Sequence, residues 1–158
     1  MKYKYAKEII LGEKTFDDIP ILYKKQVNAL INDNMDELIA KCKEEKWEEI
    51  KKARNTQEQS GLPFKDSVLD YDLISVTRLT QARDGLKEAI DKNLLSESDA
   101  SVVWTMQDNS TMVLSYDDLK SIPLIAINFS NYLHEKAREL REQISAATTV
   151  EEIYSLKW

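Results

Sequence analysis

The strongest constraint on the fold is a stretch of alternating side chains in residues 101–116, because alternation of this kind has the period of a β-strand. Two alternating runs flank Asp108-Asn109-Ser110, whose residue types are common in tight turns. The pattern predicts a β-hairpin over 101–116, with a long helix to about Ala146 after it. The apolar members of the two runs are Val102, Trp104, Met106, Met112, Leu114 and Tyr116.

A second hairpin-and-helix unit is predicted earlier in the chain. Residues 62–71 contain two short apolar runs with Pro63 in the first, and a proline of this kind belongs to an edge strand. Helical spacing follows from Leu73 to Asn93. Only three glycines and three prolines occur in 158 residues, which favours helices over a multi-strand sandwich.

These patterns together predict a mostly helical α+β fold. We expect N-terminal helices followed by two hairpin-plus-helix units, whose strands form one small antiparallel sheet packed on long helices. Two short helices are expected in residues 1–33, with Thr15 and Asp18 as a capping box between them. Thr148 or Thr149 is expected to cap a last short helix.

A longer helix is expected over about 35–54. Its apolar stripe is narrow and Lys46 interrupts it. Such a stripe suits a connector or a contact between subunits, which would make the chain a homo-oligomer through helix 35–54. A helix packed on its own domain explains the stripe equally well. The polar residues 55–60 are the expected linker, so the predicted domains are 1–54 and 61–158.

Charge and apolar content exclude several classes of partner. The net charge of −6 argues against a nucleic-acid partner, because binding to phosphates needs a concentrated basic face. No apolar run reaches the length of a membrane span, and no charged-then-apolar leader opens the sequence. We therefore expect no membrane association and no export. Cys42 is the only cysteine, so no internal disulfide is possible and a reducing, cytoplasmic site is expected.

Candidate catalytic and metal-binding residues are few. His134 is the only histidine, and we expect it among exposed charges on a helix rather than in a cleft. The chain has no phosphate-binding glycine loop, nucleophile elbow or zinc-protease motif. We predict no enzyme, no catalytic residue, no metal and no cofactor. Three acidic pairs are expected to favour helix starts: Asp17-Asp18, Asp117-Asp118 and Glu151-Glu152.

Apolar and aromatic residues in charged surroundings are the candidates for contact with another protein. Trp47 lies on a charged helix, and Trp158 is the last residue of the sequence. Docking of Trp158 on its own domain is an equal alternative. The first hairpin adds an edge strand that a partner strand could extend. The predicted partner-binding residues are Trp47, Ile50, Leu62, Phe64, Tyr71 and Trp158.

Several motifs in a fixed order carry a family resemblance. They are Glu49–Asn55, Gly61–Phe64, Val68–Asp72, Trp104-Thr105, Asp108–Thr111, Leu114, Ala137–Leu140, Ile144 and Ala147–Val150. Together they resemble a domain of unknown function, DUF4376, found in bacteriophage and prophage tail-fibre genes and their fibre-assembly partners. The resemblance covers about 48–158. Residues 8–31 are similar to short helical modules encoded near the tail genes of phages of Gram-positive bacteria.

The resemblance implies a phage or prophage tail-associated protein that acts by binding another protein. Its partner would be a tail-fibre or receptor-binding protein, and the chain would be an assembly chaperone or accessory. The alternative is a structural component retained in the phage or in a tail-like bacteriocin particle. The implied location is the cytoplasm of the bacterial host, or the virion tail. The family offers no catalytic residues to carry over.

Overall fold

Each of the two predicted hairpins is present and is followed by a helix. The computed structural model describes residues 1–158. Its helices are α1 (Lys2–Ile10), α2 (Ile21–Asp33), α3 (Met35–Gln59), α4 (Leu73–Asp91), α5 (Tyr116–Ala146) and α6 (Val150–Ser155). Its strands are β1 (Leu62–Phe64), β2 (Ser67–Leu69), β3 (Ser101–Thr105) and β4 (Thr111–Ser115). The prediction of a mostly helical α+β fold is confirmed.

Several helices begin at an Asp or Thr residue whose side chain caps the helix. The Asp72 carboxylate accepts a hydrogen bond from the Ser75 main-chain N–H at 2.7 Å and so caps α4. Of the two predicted caps of the last helix, Thr148 or Thr149, it is Thr149 that caps α6, and it forms a capping box with Glu152. The predicted Thr15–Asp18 box is also present, although it opens a 3-10 turn over Phe16–Asp18 rather than an α-helix.

The expectation of one shared sheet is wrong, because the strands form two separate antiparallel pairs, β1 with β2 and β3 with β4. Only one main-chain hydrogen bond joins the hairpins, from Gln107 N–H to the Val68 carbonyl at 3.0 Å. Strand β2 is three residues long, and the chain then turns away to cap α4 at Asp72. It therefore leaves β3 before a second pairing can form.

Helix α3 extends further than the sequence predicted, since residues 55–59 continue it instead of forming a linker. These residues are polar, but none of them is glycine or proline, so nothing in the backbone stops the helix. The break comes at Gly61, whose φ is +106°. A Cβ at Gly61 would lie 2.6 Å from Val68 Cγ1 and 2.8 Å from the Leu69 carbonyl oxygen, so only glycine fits there.

The chain divides into two compact units. Unit 1 comprises residues 1–54 and 135–158, and unit 2 comprises residues 55–134. The sequence-based division instead kept 61–158 together, so the two divisions differ in where they place 135–158. No helix of the chain is both long enough and apolar enough to cross a membrane.

Unit 1 is an all-helical core. Its N-terminal helices and α6 bury Ala6, Leu30, Leu38, Val150 and Ile153 against one another. Lys46, which interrupts the apolar stripe of α3, is also in the interior with 1% of its surface exposed. Its ammonium group pairs with the exposed Glu49 carboxylate at 2.8 Å, so the aliphatic stem is buried while the charge has a partner.

Unit 2 packs both hairpins on α4 and the first half of α5. Its buried residues come from both hairpins and both helices, with Leu62, Phe64 and Leu69 from the first hairpin and Leu114 from the second. Asp118 of α5 links the two hairpins. It accepts hydrogen bonds from Lys65 Nζ at 2.8 Å and from the Ser115 main-chain N–H at 3.0 Å.

Candidate partner-binding surfaces

The six predicted partner-binding residues fall into two groups that lie in different units. Trp47, Ile50 and Trp158 belong to one apolar cluster of unit 1. Leu62, Phe64 and Tyr71 belong to the core of unit 2. The structure therefore does not gather the six residues into one surface.

The tryptophans of unit 1 pack on their own unit. Ile50 is fully buried against residues of α5, and Trp47 and Trp158 pack around it half-buried. The Trp47 ring lies 5.3 Å from the Arg141 guanidinium, and the Trp158 ring lies 4.7 Å from Lys136 Nζ. For Trp158 the structure thus corresponds to the alternative of docking on its own domain. Partner binding by these residues remains a prediction.

The first hairpin turns its apolar side chains inward. Leu62 and Phe64 are two residues apart, so both point to the same face of β1, and both are buried in the core. Tyr71 is half-buried and lines a cleft of about 180 Å³ with Leu79 and Pro123. A partner could reach Leu62 and Phe64 only after the hairpin separated from the core.

The second hairpin, in contrast, has an exposed outer face. Val103 and Val113 are opposite one another across the two strands, and they are 72% and 60% exposed. Their neighbours in sequence, Val102 and Leu114, face the core. The alternation of residues 101–116 predicted these two faces, although it did not show that the outer one would lack a covering element.

One edge of β3 is also open. Two bonds fix the hydrogen-bonding pattern of the hairpin, from Tyr116 N–H to the Ala100 carbonyl at 2.9 Å and from Met106 N–H to the Ser110 carbonyl at 2.8 Å. An antiparallel ladder alternates, so even-numbered residues of β3 bond to β4, whereas Val103 and Thr105 direct their N–H and C=O groups away from it. No main-chain bond joins Val103 or Thr105 to a residue outside the hairpin.

A groove of about 360 Å³ runs along this open edge. One side consists of β3 residues with Gln107 and Asn109, and the other of Asp70, Ser75 and Arg78. Arg78 is exposed and belongs to none of the ion pairs of the chain. The Ser75 N–H lowers the pKa of the neighbouring Asp72 carboxyl, and the charge of Arg78 acts in the same direction. The groove thus offers main-chain groups and an unpaired cation.

Two titratable side chains of unit 1 lie in buried or hydrogen-bonded surroundings. Cys42 is buried, and this burial raises the pKa of its thiol, which therefore stays protonated at neutral pH. Tyr154 donates a hydrogen bond to Glu45 at 3.2 Å and accepts one from Lys7 at 3.3 Å. In unit 2, His134 Nε2 lies 3.7 Å from the Glu58 carboxylate and is half-exposed.

Comparison with known families gives a single result. The model of one family, "Domain of unknown function (DUF4376)", matches residues 41–156. The chain belongs to the DUF4376 family. No curated protein and no solved structure matches it.

The DUF4376 match extends from α3 to just beyond α6 and includes both hairpins. All of the groove residues, from Asp70 to Asn109, lie within it. Of the six predicted partner-binding residues, only Trp158 lies outside. Sequence reasoning identified the DUF4376 region from its motifs but missed the groove. Whether the main-chain groups at the edge of β3 are paired depends on which strand lies beside that edge. The alternation of side chains along β3 does not indicate the neighbouring strand.

Proposed function

We propose that this DUF4376 protein is a phage or prophage tail-associated protein that binds a tail-fibre subunit and acts as an assembly chaperone or accessory. One observation carries the proposal. The family match over 41–156 includes every motif, from Glu49 to Val150, that resembles domains in tail-fibre genes. The proposed activity is binding alone, without a chemical step.

The surface of unit 2 is consistent with binding to an apolar client. Leu73 and Ile74 at the start of α4 are both more than half exposed. Exposed apolar side chains on a charged protein often mark an interaction site. The net charge of −6 would help to keep a complex with an insoluble subunit in solution.

The proposed place of action is the cytoplasm of the bacterial host, where fibre subunits are made before assembly. The partner is a tail-fibre or receptor-binding protein. The second candidate function, a structural component retained in the particle, makes the opposite prediction about location. Purified particles should lack a chaperone and should contain a structural component.

Co-expression with a tail-fibre protein of the same phage or prophage is the direct test. We expect a complex of defined stoichiometry by size-exclusion chromatography with light scattering, and a larger soluble fraction of fibre. A fibre protein from an unrelated phage is the matched control and should not co-purify. A cognate fibre that folds alone and elutes separately from this chain would overturn the proposal.

A further inference from the structure

The groove beside β3 has the position of a missing strand. The bond from Gln107 N–H to the Val68 carbonyl begins a pairing between β2 and β3. Strand β2 ends at Leu69, and the chain departs towards α4. Beyond that point, Val103 and Thr105 face the groove instead of a neighbouring strand. The two hairpins therefore resemble a four-stranded sheet with a gap next to β3.

Unpaired main-chain groups define what could fill this gap. Val103 and Thr105 each present one N–H donor and one C=O acceptor, and residues two apart repeat about every 6.8 Å along a strand. The main chain of another extended segment presents the same alternating groups with the same repeat, so it can satisfy all four together. A small molecule or a helix lacks this repeat.

We propose that the β3 groove takes one extended segment of the tail-fibre subunit as an added strand, with an acidic side chain of that segment against Arg78. This inference rests on the proposed function, because the fibre subunit supplies the segment. A guanidinium without a carboxylate partner can form a charge-assisted, two-point contact with an incoming carboxylate. Arg78 thereby sets a preference for acidic segments, while the main-chain bonds are independent of sequence.

The size of the groove favours a single segment over a second copy of the chain. The volume of the groove is about 360 Å³. Ser75 and Arg78 of α4 also line it, so α4 lies beside the open edge of β3. A second copy would have to bring its own two-stranded hairpin, with the helices attached to it, into this space.

Two proline substitutions test the pairing, since they remove main-chain donors at opposite edges of one hairpin. Val103→Pro deletes an N–H that points into the groove, and Val113→Pro deletes its counterpart at the outer edge of β4. Neither N–H belongs to the ladder between β3 and β4, and proline is tolerated where the N–H faces solvent. Both residues are largely exposed, so the two variants are matched.

The measurement is the affinity of the purified, full-length chain for a fibre protein of the same phage or prophage. We expect Val103→Pro to weaken binding at least tenfold and Val113→Pro to change it less than twofold. Thermal unfolding followed by circular dichroism checks that both variants fold. Equal affinities for the wild-type chain and both folded variants would overturn the added-strand proposal while leaving the proposed function intact. A wild-type chain that binds no fibre would overturn both.

A second matched pair of substitutions tests the role of Arg78. Arg78→Gln removes the unpaired cation of the groove, whereas Arg83→Gln removes a cation of the same helix that already pairs with Asp84 at 2.9 Å. We expect Arg78→Gln to weaken fibre binding about fivefold and to reduce its dependence on salt, with little change for Arg83→Gln. Equal effects of the two substitutions would overturn the acidic contact.

Hydrogen exchange on the wild-type chain keeps the proposal testable if Val103→Pro does not fold. We expect the Val103 and Thr105 amides to exchange at least tenfold more slowly in the fibre complex, while the Val113 amide is unchanged. Unchanged exchange at Val103 and Thr105 would overturn the proposal. A wild-type chain that is a dimer by light scattering and that Val103→Pro makes monomeric would also overturn it, because the strand would then come from a second copy.

Discussion

The two hairpins share a sequence pattern but differ in what they leave exposed. In β1–β2, each strand has only three residues, and Leu62, Phe64 and Leu69 are all buried. In β3–β4, each strand has five residues, and Val103 and Val113 stay exposed while Leu114 is buried. The short hairpin packs the core, whereas the longer one also presents a face and an edge. The two additional residues in each strand of the second hairpin therefore accompany the exposed face and the open edge.

The largest expected effect on the free energy of unfolding comes from truncating an apolar side chain of the first hairpin, with a truncation in the second hairpin as the comparison. Phe64→Ala should lower the free energy of unfolding by about 3–5 kcal/mol, because it leaves a cavity in the core of unit 2. Val103→Ala should change it by about 0.5 kcal/mol or less, since that side chain is mostly in solvent. Urea unfolding measures both. Similar losses of unfolding free energy for the two variants would contradict the difference in burial between the two hairpins.

A smaller effect is expected at the glycine that precedes β1. Gly61→Ala should destabilise the chain by about 2–4 kcal/mol, because its Cβ would meet Val68 and the Leu69 carbonyl at a positive φ. Gly85→Ala is the matched control. Gly85 lies inside α4 with open space around it, so alanine there should stabilise the chain by about 0.5–1 kcal/mol. Thermal unfolding would show shifts of opposite sign. A stable Gly61→Ala variant would show that the first hairpin tolerates displacement.

The smallest effect concerns Asp118, which joins the hairpins. Burial alone would raise the pKa of its carboxyl, but the hydrogen bonds from Lys65 and from Ser115 outweigh this and hold the pKa below its ordinary value of 3.8. A carboxyl with a lowered pKa in the folded state stabilises the fold above its unfolded pKa, and this contribution is lost as pH falls through the folded pKa.

Asp118→Asn should therefore destabilise the chain by about 1–2 kcal/mol at pH 7, and the difference from wild type should shrink below about pH 4. Urea unfolding at several pH values measures this dependence. Lys65→Met is the control that removes only the half-exposed ammonium partner, and it should cost less. A difference that stayed constant from pH 7 to pH 3 would contradict the assigned role of the Asp118 charge.

Local patterns in the sequence were sufficient to predict the elements. Side-chain alternation located β3 and β4. The predicted capping box at Thr15 is present, and Thr149, one of the two predicted caps, begins α6. Each of these features depends on residues within a few positions of one another, so the sequence itself contains the relevant neighbours.

Features that depend on distant neighbours could not be predicted in the same way. Lys46 looked like an interruption of an apolar stripe, yet its stem is buried and its charge is paired. Leu62 and Phe64 were chosen for a surface, and they face the core instead. Whether a short apolar strand is covered depends on what packs on it. The core that β1 joins includes residues of β4 and α5, which lie far along the chain from it.

Unit 1 is built from two separate stretches of the chain, and this has a consequence for folding on the ribosome. Its core needs Val150 and Ile153 of α6 against Ala6 near the start of the sequence, whereas unit 2 is complete once residue 134 has been made. Domains generally fold in the order of their synthesis. Here the N-terminal helices must wait for α6, so unit 2, with its β3 groove, is the part of the nascent chain that can fold first.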